Sequence, residues 1–392
     1  MLEAERAQDY MRDNGIDAWL VYDFRGGNPV MWQLFGAKRR TTRRVFLLIP
    51  ATGGARLLCH AIETDVFAGL GAQVESYRSW SEMRQWVGSA LATCGRVAME
   101  YSPGAKLPTL SWVDGGTLEW VRSCGVEVVS SAALFQVALT MWSEAALQSH
   151  LSACSHVVEI KDGAFDYLGE SLRRGKDLTE FQVQQFIVDE FTRRQLDMDH
   201  RPIVGVNANS GNPHYEPTAD ICDPITLGDW VLIDLWARHP GEQHIFGDIT
   251  WVAHAGAEVP AEKQEVFDLV KGGRDLVVQR LEQAWRAGDV LQGWELDQIC
   301  REHVAATGYG DYFVHRTGHS LGPGPMVHGL GVNLDNLETH DTREILPGTG
   351  FTIEPGIYLP EFGVRLEINV YIDPQKGPTV TTPSQEEVIL LG

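Results

Sequence analysis

The chain has 392 residues, 44% of them hydrophobic and 22% charged, which excludes a disordered protein and suits two domains of ordinary size. Its formal net charge of −21 argues against a nucleic-acid partner, because binding phosphates needs a basic surface. No apolar run approaches the ~20 residues of a membrane helix, and the polar N-terminal segment lacks the apolar core of a secretory signal. We therefore expect neither a nucleic-acid nor a membrane partner.

The cysteines are scattered along the chain, without a CxxC or CxxxC pair. They are Cys59, Cys94, Cys124, Cys154, Cys222 and Cys300. This usage is typical of a reducing compartment, where no disulfide framework forms. We therefore expect free thiols and a cytoplasmic protein.

Residues 1–140 have the pattern of a small α/β domain. An amphipathic helix over residues 2–14 is predicted to end at Gly15, a residue type that commonly follows a helix. The predicted strands cover residues 18–22, 45–49, 56–60, 96–100 and 126–129, and a helix is predicted over residues 81–92. Such alternation indicates a sheet with helices on its faces.

The character of the sequence changes at residues 142–144, where long helical patterns begin. Ser143 is a suitable N-cap for a helix that ends before Gly175, and Thr179 with Gln182 forms a capping box for the next helix. A second long helix is predicted from Pro260 to near Gly288, followed by one over residues 294–307. We place the domain boundary between residues 140 and 145, which gives domains of residues 1–142 and 143–392.

The second domain contains an internal duplication. Two apolar runs end in Asp234 and Glu354, which are 120 residues apart, and the neighbouring acids Asp248 and Glu367 are 119 residues apart. The helix-breaking turns before them, Gly175 and Gly288, are 113 residues apart. We interpret this as two copies of helix, turn, helix and an acid-bearing hairpin.

Two such copies packed face to face would bring four carboxylates together, and buried carboxylates repel one another unless cations neutralise them. Taken alone, each acid is an ordinary solvated strand residue. Together with His319, in the segment Thr317 to Ser320, the acids form a donor set suited to Mn, Co, Fe or Zn. A carboxylate-bridged pair of ions about 3.5–4 Å apart would hold a shared hydroxide as nucleophile.

Four further residues are candidates for the site. His214 lies in a loop rich in turn-forming residues and His328 in another loop, where a histidine could hold substrate or move protons or could simply be a surface residue. Arg365, two residues before Glu367, could orient that carboxylate, meet a substrate carboxylate, or be an ordinary surface arginine. Tyr358 could be a wall of the site or part of the core.

At these motifs the chain resembles the pita-bread metallopeptidases, specifically the aminopeptidase P and prolidase branch. The resemblance covers about residues 150–390 and rests on five motifs. These are LIDLWA with Asp234, GDIT with Asp248, HRTGHSLG with His319, TIEPGIY with Glu354 and GVRLEINV with Glu367. It implies an α+β protein with a pseudo-twofold pita-bread domain, preceded by a smaller creatinase-type α/β domain that often builds a homodimer.

The resemblance also implies roles for individual residues. Asp234 would chelate one metal, Asp248 and Glu367 would bridge two, and His319 and Glu354 would bind the other, with Glu354 also acting as the base. His214 and His328 match the family's site histidines, which steady the scissile carbonyl and the tetrahedral intermediate. Apart from the resemblance, our leading hypothesis has Arg365 assist these two histidines. The implied cofactors are two divalent ions, with manganese first in preference and Co, Fe or Zn as the other choices.

The motifs depart from the family pattern at several positions. Asp234 and Asp248 are 14 residues apart, so the hairpin that joins them is longer than usual. Trp251 stands where many relatives carry arginine, Ser320 replaces a glycine in the histidine motif, and Gly329 replaces an acidic neighbour of His328. These changes affect the expectation of proline specificity more than that of metal binding.

The function expected from the sequence is hydrolysis of the Xaa-Pro bond at the N-terminus of dipeptides or short peptides. One alternative is a metal-independent hydrolase of the creatinase kind, although such relatives replace the ligands that this chain keeps. Another is a non-catalytic peptide-binding member related to histone chaperones. Methionine aminopeptidases normally lack the N-terminal domain, and therefore fit less well. The metal identity, the preferred peptide length and the oligomeric state stay open.

Overall fold

The computed structural model describes residues 4–36, 38–176, 178–241 and 243–392. Two compact units divide the chain, Met1–Met141 and Trp142–Gly392. No helix among the described residues is both long and apolar enough to cross a membrane. The six cysteines all lie in the described ranges, and all six are free thiols as expected.

The helices of the first unit are α1 (Ala4–Asp13), α2 (Pro29–Phe35), α3 (Thr64–Phe67), α4 (Trp80–Leu91), α5 (Gly115–Ser123) and α6 (Ala132–Leu139). Its strands are β1 (Ala18–Phe24), β2 (Arg44–Pro50), β3 (Arg56–His60), β4 (Gln73–Tyr77), β5 (Arg96–Met99) and β6 (Glu127–Ser130). They form a six-stranded sheet in the order β4-β3-β2-β1-β5-β6. Strand β1 pairs antiparallel with β2 and parallel with β5, which makes the sheet mixed.

Five of these strands and helix α4 coincide with predicted elements. Strand β4 was missed because its side chains are mostly exposed or half-buried, so that it lacks the apolar run of a buried strand. Helix α1 ends one residue before the predicted end, and Gly15 follows with a φ of 60°. The predicted start of that helix, Leu2 and Glu3, lies outside the described residues.

The second unit contains helices α7 (Glu144–Arg173), α8 (Glu180–Arg193), α9 (Ala261–Ala287) and α10 (Gly293–Ala305). Its strands are β7 (Leu178–Thr179), β8 (Ile203–Val206), β9 (Pro224–Ile225), β10 (Trp230–Ala237), β11 (Gly247–His254), β12 (Ser320–Leu321), β13 (Gly350–Ile353), β14 (Gly356–Tyr358), β15 (Gly363–Arg365), β16 (Ile368–Asp373), β17 (Gly377–Val380) and β18 (Ile389–Leu390). Short 3-10 helices cover Ala61–Glu63, Pro103–Ala105, Pro108–Leu110, Asn207–Gly211 and Gly310–Tyr312.

The duplicated order of elements is present in the second unit. Helices α7 and α8 precede the hairpin β10–β11, and helices α9 and α10 precede strands β13 to β16. One sheet has the order β8-β10-β11-β18, with the strands of Asp234 and Asp248 at its centre. The other has the order β12-β13-β16-β17, with the strands next to Glu354 and Glu367 at its centre. The predicted turns are also observed, since Gly175 and Gly288 have φ values of 65° and 75°.

The caps that start the first two helices of this unit form as the sequence predicts. The Ser143 side chain accepts a hydrogen bond from the Ala146 N–H, 3.1 Å away. Thr179 and Gln182 form both hydrogen bonds of a capping box. These local contacts fix where α7 and α8 begin.

Strand β10 is buried on both faces. Its odd-numbered residues Val231, Ile233 and Leu235 pack into the core that includes α7 and α8. Trp230 and Leu232 pack instead into the core that includes α9, α10 and β13. Because side chains alternate along a strand, Asp234 faces the second core, where the two copies of the motif meet.

Candidate metal centre

A cavity of about 680 Å³ in the second unit brings the predicted ligands together. Asp234, Asp248, His319, Glu354 and Glu367 all line it. Ligand atoms of Asp248, His319 and Glu367 lie within 4.8 Å of one another. His319 Nε2 is 3.4 Å from Asp248 Oδ2 and 3.6 Å from Glu354 Oε1, so one imidazole nitrogen faces two carboxylates.

The hairpin β10–β11 positions the first two acids. Asp234 pairs with Thr250 across the ladder, and Asp248 pairs with Trp236. These four side chains therefore lie on the same face of the two strands. The longer connection between the strands extends the hairpin beyond the site and leaves both acids on the inner face.

The other two acids lie where one pair of strands ends and the next begins. Glu354 follows β13 and Glu367 precedes β16, immediately beyond the last pair of that ladder, Ile353 with Ile368. Pro355 has no N–H to donate, which favours a break in the ladder at this point. Strand β15 ends at Arg365 and β16 begins at Ile368, so Arg365 and Glu367 do not lie on one continuous strand.

Backbone hydrogen bonds at this break tie the two acids to other segments. The Glu354 N–H donates to the Thr317 carbonyl at 2.7 Å, and the Glu367 N–H donates to the Thr250 carbonyl of β11 at 3.2 Å. The second bond joins the two sheets directly. The side chain of Thr250 also donates to Glu367 Oε2 at 2.8 Å, so that carboxylate is oriented by the opposite sheet.

The carboxylates and the imidazole strongly affect one another's protonation. Burial, reinforced by neighbouring carboxylates, raises the pKa of Asp248 and of Glu367 well above the ordinary range. Burial raises the pKa of Glu354 to about 7, although Arg365 opposes the shift. Burial also lowers the pKa of His319 well below its usual value, which favours the neutral ring that can bind a metal.

Unpartnered oxygen atoms show that the cluster suits cations. Oδ1 of Asp234 and Oδ1 of Asp248 are buried and have no hydrogen-bond partner among the described residues. Nδ1 of His319 lies 3.1 Å from the Ser320 carbonyl oxygen, which assigns the ring proton to that nitrogen. Nε2, which faces the cluster, therefore has a free lone pair with which to bind a metal ion. Four carboxylates and one imidazole form an oxygen-rich set typical of hard or borderline divalent ions.

Arg365 is the cation that balances part of this negative charge. It is buried and forms a short ion pair with Asp234. Its Nε donates to Thr250 Oγ1 at 3.0 Å and its Nη1 to the Tyr358 hydroxyl at 3.2 Å. Arg365 thus reaches Glu367 only through Thr250, and the carboxylate that it contacts directly is Asp234.

Tyr358 and His315 form a layer behind Arg365. The Tyr358 hydroxyl lies 2.7 Å from His315 Nε2, and the backbone carbonyl of Arg316 lies 2.7 Å from His315 Nδ1. Tyr358 does not line the cavity among the described residues, whereas His315 does. Burial lowers the pKa of His315 to about 3 and raises that of Tyr358 to about 12, so both stay neutral at neutral pH.

His214 and His328 lie on the cavity wall with exposed side chains. The ring centroid of His328 is 4.2 Å from that of His319. The Arg316 Nη2 atom lies 3.4 Å from His328 Nδ1. His328 therefore contacts the cluster closely, whereas His214 lies in the loop that follows the 3-10 helix Asn207–Gly211.

Sequence reasoning missed several residues that shape the cavity. His315 and Arg316 belong to the quoted motif around His319, but their spacing in an irregular segment gave no direction for their side chains. Asp199 accepts hydrogen bonds from Trp236 Nε1 at 2.5 Å and from the Val327 N–H at 2.9 Å, and so holds two walls together. No local pattern marks Asp199, because both partners are distant in the sequence.

Known proteins share this architecture. The "Uncharacterized peptidase YqhT" of Bacillus subtilis is 30% identical over 67% of this chain and 70% of its own length. The Xaa-Pro dipeptidase of Pyrococcus furiosus is 35% identical over 42% of this chain and 43% of its own. The chain also superposes on a crystal structure with a TM-score of 0.66 at 16% identity, over 99% of this chain and 63% of that one. That structure is described as X-prolyl aminopeptidase from Caenorhabditis elegans, a cytosolic enzyme with a di-nuclear active site.

Two duplicated halves that converge on buried acids define a pita-bread protein, and the structural likeness agrees with this fold. Residues 153–374 match metallopeptidase family M24. The chain belongs to that family.

Proposed function

We propose that this chain is a metal-dependent exopeptidase that hydrolyses the Xaa-Pro bond at the N-terminus of dipeptides or short peptides. The observation that carries the proposal is the buried cluster of Asp248, His319 and Glu367, which Asp234 and Glu354 complete within one cavity. The curated relative from Pyrococcus furiosus, an Xaa-Pro dipeptidase, supports the substrate class.

Two divalent ions fit the donor set, with manganese as our first choice. Asp234 would hold one ion, His319 and Glu354 the other, and Asp248 and Glu367 would bridge them. The unpartnered Oδ1 atoms of Asp234 and Asp248 point to this arrangement, because a buried carboxylate oxygen needs a partner. When bound, such a pair supplies Lewis acidity toward the scissile carbonyl and makes water more acidic.

The side chains around the cluster accept the proton of water, stabilise developing charge or position other residues. Glu354 accepts the proton of the attacking water, a role that suits a carboxylate that lines the cavity and lies 3.6 Å from His319 Nε2. His328 and His214 contact the scissile carbonyl region and stabilise the charge that develops there. Arg365 positions Asp234 and Tyr358 through its fork of hydrogen bonds.

We also propose that residues 1–142 form a creatinase-type domain and that the chain acts as a cytoplasmic homodimer. The mixed sheet of the first unit supports the domain assignment, and the free thiols support a reducing compartment.

The test is hydrolysis of Xaa-Pro dipeptides and Xaa-Pro-Yaa peptides by the purified protein with added Mn²⁺ or Co²⁺. We expect turnover by the wild type and a loss of at least about 100-fold in Glu354→Gln, because the base and a ligand are altered together. Glu361→Gln, an exposed change in the turn between β14 and β15, is the matched control. Undiminished turnover in Glu354→Gln would refute the assigned role.

Metal analysis separates this proposal from its rivals. A creatinase-like hydrolase would turn over without bound metal, and a non-catalytic member would bind peptides without cleaving them. The five retained donors favour the metal-dependent enzyme over both.

A further inference from the structure

We propose that Asp297 is a positioning residue for one of the two ions, the one that His319 and Glu354 would hold, and not for the other. The inference rests on the proposed function and goes beyond it. Asp297 belongs neither to the proposed ligands nor to the described residues that line the cavity. It acts on the ion through Thr317.

Asp297 is a carboxylate of α10 that the structure buries completely. Its Oδ1 accepts hydrogen bonds from the Thr317 N–H at 2.8 Å and from the Thr317 hydroxyl at 2.6 Å. Its Oδ2 accepts hydrogen bonds from Arg301 Nε at 2.6 Å and from the Asn336 N–H at 2.8 Å. Both oxygen atoms are engaged, and a buried polar group with all its hydrogen bonds made holds its partners in one arrangement.

Arg301, one turn further along α10, holds the residues just before Thr317. Its Nη1 donates a hydrogen bond to the Phe313 carbonyl at 3.0 Å, and its Nη2 donates one to the His315 carbonyl. Residues 313–317 form neither helix nor strand. These backbone groups are therefore bonded by side chains of α10 in place of a regular ladder.

Thr317 connects these contacts to both ligands of the proposed ion. Its carbonyl accepts the hydrogen bond of the Glu354 N–H at 2.7 Å, and His319 follows two residues later in the chain. The intervening Gly318 packs tightly, since a Cβ atom there would lie 2.0 Å from the Thr352 carbonyl oxygen. A displacement of Thr317 therefore moves His319 and Glu354 together.

The ligand proposed for the other ion is held by different contacts. Asp234 lies in β10, which pairs with β11 and β8, and its carboxylate forms an ion pair with Arg365. In the part of the chain that the structure describes, the hydrogen bonds of Asp297 and Arg301 lead instead to residues 313–317 and to Asn336. A change at Asp297 is therefore expected to act on one ion.

The duplication supplies a comparison within the same chain. Gln184 of α8 lies 113 residues before Asp297, the spacing that also separates Gly175 from Gly288. Gln184 is fully buried as well, and its Nε2 donates a hydrogen bond to the Pro202 carbonyl at 2.8 Å. The first copy thus uses the same helix position to hold a segment that contains none of the five proposed ligands.

The experiment titrates Mn²⁺ calorimetrically into metal-free, full-length protein. The variants are Asp297→Ala, Asp297→Asn and Thr317→Val, with Gln184→Ala as the matched control and His319→Ala as the reference for loss of the ion in question. Electron paramagnetic resonance of the loaded samples distinguishes a pair of neighbouring Mn²⁺ ions, which couple magnetically, from a single ion. Circular dichroism establishes that each variant is folded.

We expect Asp297→Ala to weaken one ion by about 10- to 100-fold, the range for groups that orient ligands, and to leave the other within about threefold. Its resonance spectrum should match that of His319→Ala at the same Mn²⁺ concentration. Asp297→Asn and Thr317→Val should show the same selective loss by a smaller factor, because each keeps part of the contact between residues 297 and 317. Gln184→Ala should bind two ions with the wild-type affinity.

A double variant separates positioning from a general loss of structure. In the His319→Ala background, Asp297→Asn should not weaken the remaining ion, because the ion that depends on Asp297 is already lost. A general loss of structure would weaken the remaining ion as well. Further weakening of that ion by Asp297→Asn would therefore contradict the proposal.

The proposal would also be overturned if a folded Asp297→Ala bound two ions with the wild-type affinity, or if Gln184→Ala lost the same ion to the same extent. If Asp297→Ala does not fold, Thr317→Val decides, since it removes a single hydroxyl. A wild type that binds two ions but cleaves no Xaa-Pro peptide would refute the proposed function alone. A wild type that binds no ion would refute both.

Discussion

Asp248 is held by its backbone as well as by its side chain. The Asn369 side-chain oxygen accepts a hydrogen bond from the Asp248 N–H at 2.9 Å, and the Asn369 amide donates to the Asp248 carbonyl. One buried side chain of β16 therefore fixes a residue of β11. Groups that orient ligands in this way commonly influence metal affinity as much as activity.

We predict that Asn369→Ala weakens Mn²⁺ binding by about 10- to 100-fold, since it releases the backbone that aims the Asp248 carboxylate. Calorimetric titration measures the affinity, and turnover should recover when Mn²⁺ is added in excess. Asn336→Ala removes an amide bonded to Gln298 instead, and should leave the affinity unchanged. An unaltered affinity in Asn369→Ala would show that the Asp248 position does not depend on this amide.

Glu100, a buried residue of the first unit, has a pKa that its surroundings raise. Trp19, Asn28 and Ser131 donate hydrogen bonds to its carboxyl group. Burial nevertheless raises the pKa of Glu100 to about 7, above its usual value of 4.5. The folded unit therefore favours the protonated form, and between these two pH values it binds more protons than the unfolded chain.

We predict that the first unit loses stability as pH rises from about 4.5 to 7, by about 3 kcal/mol in total, because ionisation is disfavoured only in the folded state. Hydrogen exchange of β1 amides in the full chain, corrected for intrinsic rates, measures this loss. Glu100→Gln should flatten the pH dependence even if it lowers stability overall. A wild-type unit that becomes more stable over this range would contradict the assigned protonation.

At the scale of elements, Trp142 packs against β16 and against β13, the strand that Glu354 follows. Its indole stacks on Tyr371 of β16 at a centroid distance of 5.1 Å, and its Nε1 donates to the Leu321 carbonyl at 3.0 Å. A Cβ atom at Gly350 would lie only 2.3 Å from the indole ring. Strands β12, β13 and β16 are thus assembled around an aromatic side chain that requires glycine at this position.

We predict that Gly350→Ala destabilises the second unit by about 1–3 kcal/mol, the usual cost of forcing atoms into a packed core. Thermal unfolding, followed by Mn²⁺-dependent activity and tryptophan fluorescence, measures the effect. Gly163→Ala is the matched control, because its Cβ would meet the Phe186 ring at an ordinary 3.5 Å in the middle of α7. The control should be neutral or slightly stabilising, and equal losses in both variants would contradict the role given to Trp142.

The elements that sequence patterns predicted well are those with local causes. Ser143, Thr179 and Gly288 act through contacts within a few residues, and the helices begin or end where these residues indicate. The break between β15 and β16 depends instead on the hydrogen bond from Glu367 to Thr250, more than one hundred positions away in the chain. A hydrogen bond between residues so far apart in the chain leaves no local pattern in the sequence.

At the scale of the whole molecule, the repeat spacing was the strongest signal in the sequence. It predicted that two copies of one motif bring Asp234, Asp248, Glu354 and Glu367 into one cavity, and the structure places all four there. The spacing could not predict which other side chains contact one another around these acids. The ion pair of Arg365 with Asp234 and the layer formed by His315 and Tyr358 arise from side chains that meet only after the two copies pack.

Calorimetric titration of Mn²⁺ into metal-free, full-length protein tests most directly whether these converging acids form a two-metal centre. We predict two ions per chain for wild type and no tight binding in the Asp248→Asn, Glu367→Gln double variant, which alters both of the ligands that we propose to be shared. Circular dichroism should show that the double variant remains folded. Wild-type affinity and stoichiometry in that folded variant, or a wild-type chain that binds no ion, would contradict the centre described above.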